Sequence, residues 1–261
     1  MRTPVAVRIA LLTLGLAVLC AWPAAADVTL INHYRLINGD TLTRACYYSG
    51  KRVRVTGPDG REFMFNADGD TVTVIIHRRK TYWTGPRELA DSLANKIIAQ
   101  NRKGLSQISE MDAETWRQKM QAFNDSIKVV QTFKSRKIAG LTCDQWILTA
   151  GTYMTNDQWI ARSLSVANYG PELQKVVQSS IMDPLGRVLM RLMIDMRTKS
   201  GLALAGHTTF RTLSQSGSFE FRTIQVVTGP IPKSAWKIPA GAVFPSPRIP
   251  TATIFSATAI G

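Results

Sequence analysis

Short runs of alternating apolar and polar residues, separated by turn sequences, follow one another from residue 28 to residue 83. In the clearest run, Thr71–Trp83, β-branched residues alternate along a strand, and the basic residues 78–80 form the turn of a β-hairpin. Similar runs predict strands at 28–37, 41–48, 51–56 and 62–66, joined by turns rich in Gly, Asn and Asp. Strands that are joined by such tight turns must be antiparallel. We therefore expect a sheet with one face covered and the other free to bind something.

The hydrophobic period changes from two to about 3.6 residues after Gly85-Pro86, which predicts helices. One apolar stripe runs from Leu89 to a stop at Gly104, a second helix begins near Ser109, and a third follows Pro184. Strands are predicted again at 128–134, 138–150, 202–213 and 218–228. The expected fold class is α+β: a curved antiparallel β-sheet, forming an incomplete barrel, that is covered by α-helices.

The first 26 residues have the pattern of a signal peptide that directs export. Arg2 and Arg8 supply positive charge, residues 9–21 are apolar, and Ala24–Ala26 fit a cleavage site. The apolar run is shorter than the roughly 20 residues that a membrane-spanning helix needs, which disfavours a retained anchor. We expect a signal peptide at 1–26, one domain at 27–245 and a loosely ordered tail at 246–261. The predicted location is the periplasm, with the extracellular space as the alternative.

The chain carries a formal net charge of +14, and its basic residues are dispersed except at 78–80. A basic exported protein is able to contact an anionic membrane surface, although a cationic surface also serves solubility. Export and the scattered cations argue against a nucleic-acid partner. The sequence does not determine the oligomeric state.

The sequence contains no motif that indicates catalysis. His33, His77 and His207 are far apart, and the patterns typical of serine hydrolases, zinc proteases and phosphate loops are absent. We therefore expect no catalytic residue, no metal site and no cofactor, with an unrecognised hydrolase as the remaining alternative. Two cysteines follow the signal peptide, Cys46 and Cys143. They either form a disulfide in the oxidising compartment or remain two separate buried thiols.

Several stretches, in their order along the chain, resemble a secreted bacterial family of unknown function, DUF4412. They are residues 51–54, 80–83, 138–143, 157–160, 201–204 and 237–241. The resemblance implies a fold like that of the periplasmic lipoprotein carrier LolA, an incomplete antiparallel barrel with helices on its concave side. It implies no catalytic residues.

A curved sheet covered by apolar helices encloses a hydrophobic cleft, which favours a binding protein over an enzyme. We expect an apolar or amphipathic ligand, such as a lipid or an acylated peptide, and a lipid or lipoprotein partner. The residues expected to line the cleft are Phe63, Phe65, Val72, Val74, Ile76, Met193 and Met196. The residues expected to contact anionic head groups are Arg52, Arg54, Arg78, Arg79 and Lys80. The alternative is a protein-interaction or sensory module with a filled core.

Overall fold

A computed structural model describes residues 27–89, 118, 121–122, 125–164, 201–211 and 216–242 of the chain. Within these residues, eleven β-strands form one antiparallel sheet. The strands are β1 (Val28–Arg35), β2 (Thr41–Tyr48), β3 (Arg52–Thr56), β4 (Glu62–Asn66), β5 (Thr71–Ile76), β6 (Thr81–Pro86), β7 (Ile127–Ile138), β8 (Leu141–Ala150), β9 (Met154–Ala161), β10 (Leu202–Arg211) and β11 (Ser216–Thr228). The predicted signal peptide and the predicted tail lie outside the described residues.

The order of the strands places the two ends of the domain at the centre of the sheet. From β1 the chain moves outward strand by strand to β6, and from the opposite edge, at β7, it moves inward to β11. The last strand then pairs with the first, from Val28 opposite Thr228 to Arg35 opposite Glu220. Among the described strands, β6 and β7 lie at the two edges and do not pair with each other.

The prediction of an α+β fold with helices covering the sheet is wrong for this structure, which is dominated by the sheet. Beside the strands, the described residues contain only the 3-10 turns His77–Arg79 and Lys233–Trp236 and helical residues at 87–89 and within 118–125. Nearly all of the segments predicted as helices lie outside the described residues. A period of 3.6 residues indicates a local conformation, but it does not show that a segment packs over a sheet.

Most of the strand predictions are confirmed, and one strand was missed. The meander from β1 to β6 follows the predicted segments, and β7, β8, β10 and β11 overlap theirs. No strand was predicted between residues 150 and 202, whereas Met154–Ala161 form β9. Residues 155–158 are all polar, and the buried ones are Asn156 and Gln158, so the pattern lacks the apolar face that identifies a strand.

The buried side chains form two clusters on the sheet. The larger cluster spans the central strands and includes Leu30, Tyr34, Cys46, Ile160 and Leu204. The smaller cluster lies on β4, β5 and β6 at one end of the sheet. Along β1 every second residue, beginning with Val28, is buried, which is the pattern of a strand with one covered face.

Candidate functional site

The smaller cluster brings together most of the residues that were predicted to line a ligand cleft. We call it the apolar cluster, and its members are Phe63, Phe65, Val72, Val74 and Trp83. The strand register explains the arrangement, because Phe63 lies opposite Val74 and Val74 lies opposite Trp83. Phe65 lies opposite Val72 in the same way. Cross-strand neighbours lie on the same face of a sheet, so these side chains form one continuous apolar surface.

The apolar cluster ends at an exposed group of cations, which we call the basic turn: Arg78, Arg79 and Lys80. Ile76 is half-buried, packs against the apolar cluster and lies two residues before the basic turn. Lys80 adopts a left-handed conformation with a φ of 49°, and its N–H donates to the carbonyl oxygen of His77 at 3.1 Å. This geometry reverses the chain and leaves all three cationic side chains exposed.

The structure does not bring the other predicted site residues to this place. Arg52 and Arg54 alternate with Val53, which is opposite Phe65, so the two arginines lie on the other face of the sheet. Arg52 is exposed and lies over the Trp236 ring, 5.9 Å from its centroid. Met193 and Met196 lie outside the described residues.

On that other face, Arg54 is buried and forms an ion pair with Glu62. The Arg54 Nε atom donates to Glu62 Oε2 at 3.1 Å, and Nη2 donates to the same oxygen. Arg54 Nη1 donates to the carbonyl oxygens of Ala235 at 2.7 Å and Lys237 at 3.1 Å. Because a buried charge is costly without partners, these contacts allow Arg54 to be buried and attach the C-terminal segment to β3.

Glu62 is only 4% exposed and lies beside two arginines, Arg54 and Arg44, and a histidine, His77. Arg44 Nε is 3.9 Å from Glu62 Oε1, and His77 Nε2 is 3.0 Å from Glu62 Oε2. His77 Nε2 is close to the carboxylate, but the two groups are not oriented for a hydrogen bond, and His77 Nε2 has no hydrogen-bond partner. Sequence reasoning missed Glu62, although its alternation with Phe63 places it on the face that carries Arg54.

A polar pocket of about 220 Å³ lies between this ion pair and the C-terminal segment. Its lining residues are Ala45, Tyr47, Arg54, Glu62, Pro232, Ser234 and Ala235. The Tyr47 and Trp236 rings meet beside it, with their centroids 6.0 Å apart. The pocket is lined largely by polar atoms, and its two charged groups, Arg54 and Glu62, already pair with each other. It therefore suits an apolar ligand less well than the apolar cluster does.

Both cysteines are free, buried thiols, which is the second of the two alternatives considered for them. Cys46 lies 2.9 Å from the Tyr34 hydroxyl, and the Asn32 amide donates to that hydroxyl, also at 2.9 Å. Thr223 completes this polar network by donating to Asn32 Oδ1 at 2.8 Å, which links β11 to β1. Burial raises the pKa of Tyr34 and of Cys46, and it raises the pKa of Cys143 to about 11.

The histidines and acids of the described ranges do not gather into a metal site. His33 lies beside Thr43, with 3.1 Å between Nδ1 and Oγ1, and His207 is exposed on β10. Among the described residues, no group of three or more His, Cys, Asp or Glu side chains is arranged to hold a metal ion. Within the same ranges, no helix has the length and apolar character needed to cross a membrane.

No protein-family model matches this sequence, so the resemblance to DUF4412 is not confirmed, and no curated protein matches it either. Several solved structures match this chain at low similarity. MucB is 12% identical with a TM-score of 0.39, over 89% of this chain and 64% of MucB. This chain therefore spans less than two thirds of the length of MucB.

Two shorter structures match over most of their own length. A putative outer membrane lipoprotein-sorting protein domain from Vibrio parahaemolyticus is 10% identical with a TM-score of 0.24, over 85% of this chain and 94% of that domain. A LolA superfamily protein from Nitrosomonas europaea is 9% identical with a TM-score of 0.22, over 83% of this chain and 91% of that protein. At TM-scores this low, the architecture of this chain rests on its own strand order and registers.

Proposed function

We propose that this chain is an exported, periplasmic binding protein that holds an apolar or amphipathic ligand against the sheet face formed by β4, β5 and β6. The observation that carries the proposal is that the apolar cluster and the basic turn are continuous on this part of the sheet. Ile76 packs against the cluster at one end and is followed within four residues by three exposed cations.

An amphipathic lipid has the complementary arrangement, an apolar chain that ends in a polar and often anionic head group. The apolar side chains supply burial of about 25 cal/mol for each Å² of ligand surface removed from water. The cations supply attraction to a phosphate or carboxylate group at the boundary with solvent. A lipid, or the acyl chain of a lipoprotein, therefore fits this face better than a wholly polar ligand does.

Ligand uptake in this proposal requires the face to open, because the members of the apolar cluster are at most 9% exposed. Ile76 is half-buried at the margin of the cluster, so it is the first apolar side chain that an entering ligand reaches. The proposal involves no catalytic step, since the sequence carries no motif of a known catalytic type.

The test is native mass spectrometry, with lipid extraction, of the mature chain purified from a bacterial periplasm without detergent. We expect a reproducible lipid adduct. Ile76→Asp places a charge at the entrance of the apolar face, and we expect it to remove the adduct. The matched control is Ile224→Asp, because Ile224 is 56% exposed on β11 and away from the apolar cluster.

The replacement of both Arg78 and Arg79 by glutamate tests the head-group contact separately. We expect this variant to lose anionic lipids in preference to neutral ones, whereas Arg35→Glu, another exposed arginine, leaves the lipid profile unchanged. An unmodified protein that carries no lipid, or an Ile76→Asp variant that folds and retains the full adduct, contradicts the proposal.

A further inference from the structure

The two edges of the sheet differ in their capacity to accept another strand. The edge strand β6 has six residues and ends in Gly85-Pro86, and proline has no N–H to donate to a neighbouring strand. The edge strand β7 has 12 residues and contains neither proline nor glycine. Among the described strands β7 has β8 as its only neighbour, so its outer backbone groups have no strand partner there.

The side chains of β7 are exposed on both faces, including apolar ones. Val129 is 41% exposed, Val130 is 53% exposed and Phe133 is 88% exposed. Phe133 lies in the irregular stretch where the register with β8 shifts, and it adopts a left-handed φ of 59°. Val129 and Val130 are consecutive, so each face of this open edge carries an exposed apolar side chain that an added strand would contact.

The charge of β7 selects the kind of partner. The strand contains four cations, Lys128, Lys134, Arg136 and Lys137, and no acidic residue. All four cations are exposed, and Arg136 is also stacked on Trp159, 4.0 Å from the ring centroid.

Asp144, opposite Ser135 on the neighbouring strand, and Asp125, two residues before β7, already have partners. Asp144 pairs with Arg162 at 2.5 Å, and Asp125 accepts a hydrogen bond from Gln121 at 2.8 Å. A second copy of this chain, paired edge to edge, would place the cations of both β7 strands together, which is unfavourable. An acidic strand meets no such repulsion.

We propose that the edge of β7 binds an extended acidic segment of a partner protein, which adds to the sheet as a twelfth strand along residues 127–131. The backbone of the partner pairs with the outer groups of β7. Its apolar side chains contact Val129 and Val130, and its carboxylates lie near Lys128 and Lys134. This surface is separate from the apolar cluster, so the proposal stands independently of the proposed lipid site.

The test uses a defined probe, a fluorescein-labelled octapeptide of alternating glutamate and valine, with the intact mature protein. We expect saturable binding in fluorescence anisotropy, weakened by salt. We also expect peptide binding to slow amide hydrogen exchange in β7 more than in the other strands. A peptide with lysine in place of glutamate, and one with alternate backbone nitrogens methylated, are expected not to bind, because they lose charge complementarity or strand pairing.

Replacement of Lys128 and Lys134 by glutamate is expected to weaken binding about tenfold or more. Replacement of Lys233 and Lys237 by glutamate changes the net charge by the same amount. Both lysines are exposed on the C-terminal segment, and this control is expected to leave peptide binding unchanged. Phe133→Ser tests the apolar contribution at a side chain so exposed that folding does not depend on it.

Three results would overturn this proposal. The first is an absence of saturable peptide binding, and the second is equal binding of the methylated peptide. The third is obtained with phosphatidylglycerol vesicles titrated in parallel. If the lysine substitutions weaken vesicle binding and leave peptide binding unchanged, β7 contacts lipid and does not accept a strand.

Discussion

Arg54 on β3 donates a hydrogen bond of 2.7 Å to the carbonyl oxygen of Ala235, in the short 3-10 turn that follows β11. The same guanidinium is paired with Glu62, so one side chain joins β3, β4 and the C-terminal segment. This contact lies on the opposite face from the apolar cluster. One face of this end of the sheet is thus stabilised by an ion pair and the other by apolar packing.

Replacement of Arg54 by methionine is expected to destabilise the fold by about 3 kcal/mol, because it leaves the buried carboxylate of Glu62 without its main partner. Urea denaturation monitored by circular dichroism measures the change. The matched control is Arg52→Met, since Arg52 is exposed two residues earlier on the same face, and we expect a loss within about 0.5 kcal/mol. Equal losses for the two variants would show that the ion pair is not the stabilising feature.

Thr223→Val is expected to lower the free energy of unfolding by about 2 kcal/mol. The substitution preserves the shape of the side chain but removes the hydroxyl that donates to Asn32 Oδ1 at 2.8 Å, leaving a buried acceptor unsatisfied. Thr209→Val on β10 is the control, because Thr209 is exposed in a neighbouring strand. Chemical denaturation of both variants gives the comparison, and a neutral Thr223→Val would mean that the network contributes nothing to stability.

Gly201→Ala is expected to destabilise the chain by about 3 kcal/mol. Gly201 has a φ of 116°, and an added Cβ would lie about 2.3 Å from the carbonyl oxygen of Ala161, a distance that requires the backbone to move. Gly140 also has a positive φ, 83°, but its surroundings are open. Gly140→Ala is therefore expected to show only the cost of placing alanine at a positive φ, about 1 kcal/mol of stability. Thermal melting of both variants gives the steric part of the Gly201→Ala loss as the difference between the two losses of stability.

The stability of the fold is expected to fall as pH rises from about 9 to about 11. Burial raises the pKa of Cys143 from 9.0 to about 11, so the unfolded chain loses the thiol proton at a lower pH than the folded chain does. The folded state then binds more protons in this interval, and the free energy of unfolding decreases with pH. Urea midpoints at both ends of the interval measure the decrease, and Cys143→Ala should make it smaller.

Reactivity of the thiols provides a separate check on their burial. Iodoacetamide at neutral pH is expected to label Cys46 and Cys143 slowly in the folded protein and rapidly in urea. Rapid labelling of the folded protein would contradict the burial of both thiols.

Local patterns in the sequence were sufficient to predict most of the strands and four of the five members of the apolar cluster, all except Trp83. Side chains alternate along a strand, so the tight turns between 28 and 83 already imply that Phe63 and Phe65 share one face. The same alternation implies that Arg52 and Arg54 share the other face. The prediction that these two arginines contact the head group of a ligand in the cleft overlooked that consequence, and the structure places both on the other face.

Long-range relationships were not predictable from these patterns. Periodicity does not indicate which distant strands pair, so the position of β11 beside β1 followed only from the structure. The partners of Arg54 show the same limit, because Ala235 follows it by 181 residues and contributes a backbone carbonyl that has no sequence pattern. The missed strand β9 is held by pairing with β8 and β10 and by buried amides such as Gln158.

The sequence by itself determined local conformation and the face on which each strand residue lies, because these depend on alternation and turn chemistry over a few residues. Only the tertiary structure decided which strands form the edges, where the buried charges find their partners, and that both thiols are free. These features depend on contacts between segments far apart in the chain. Each such contact is selected by the total burial and hydrogen bonding of the folded state, not by any short stretch of sequence.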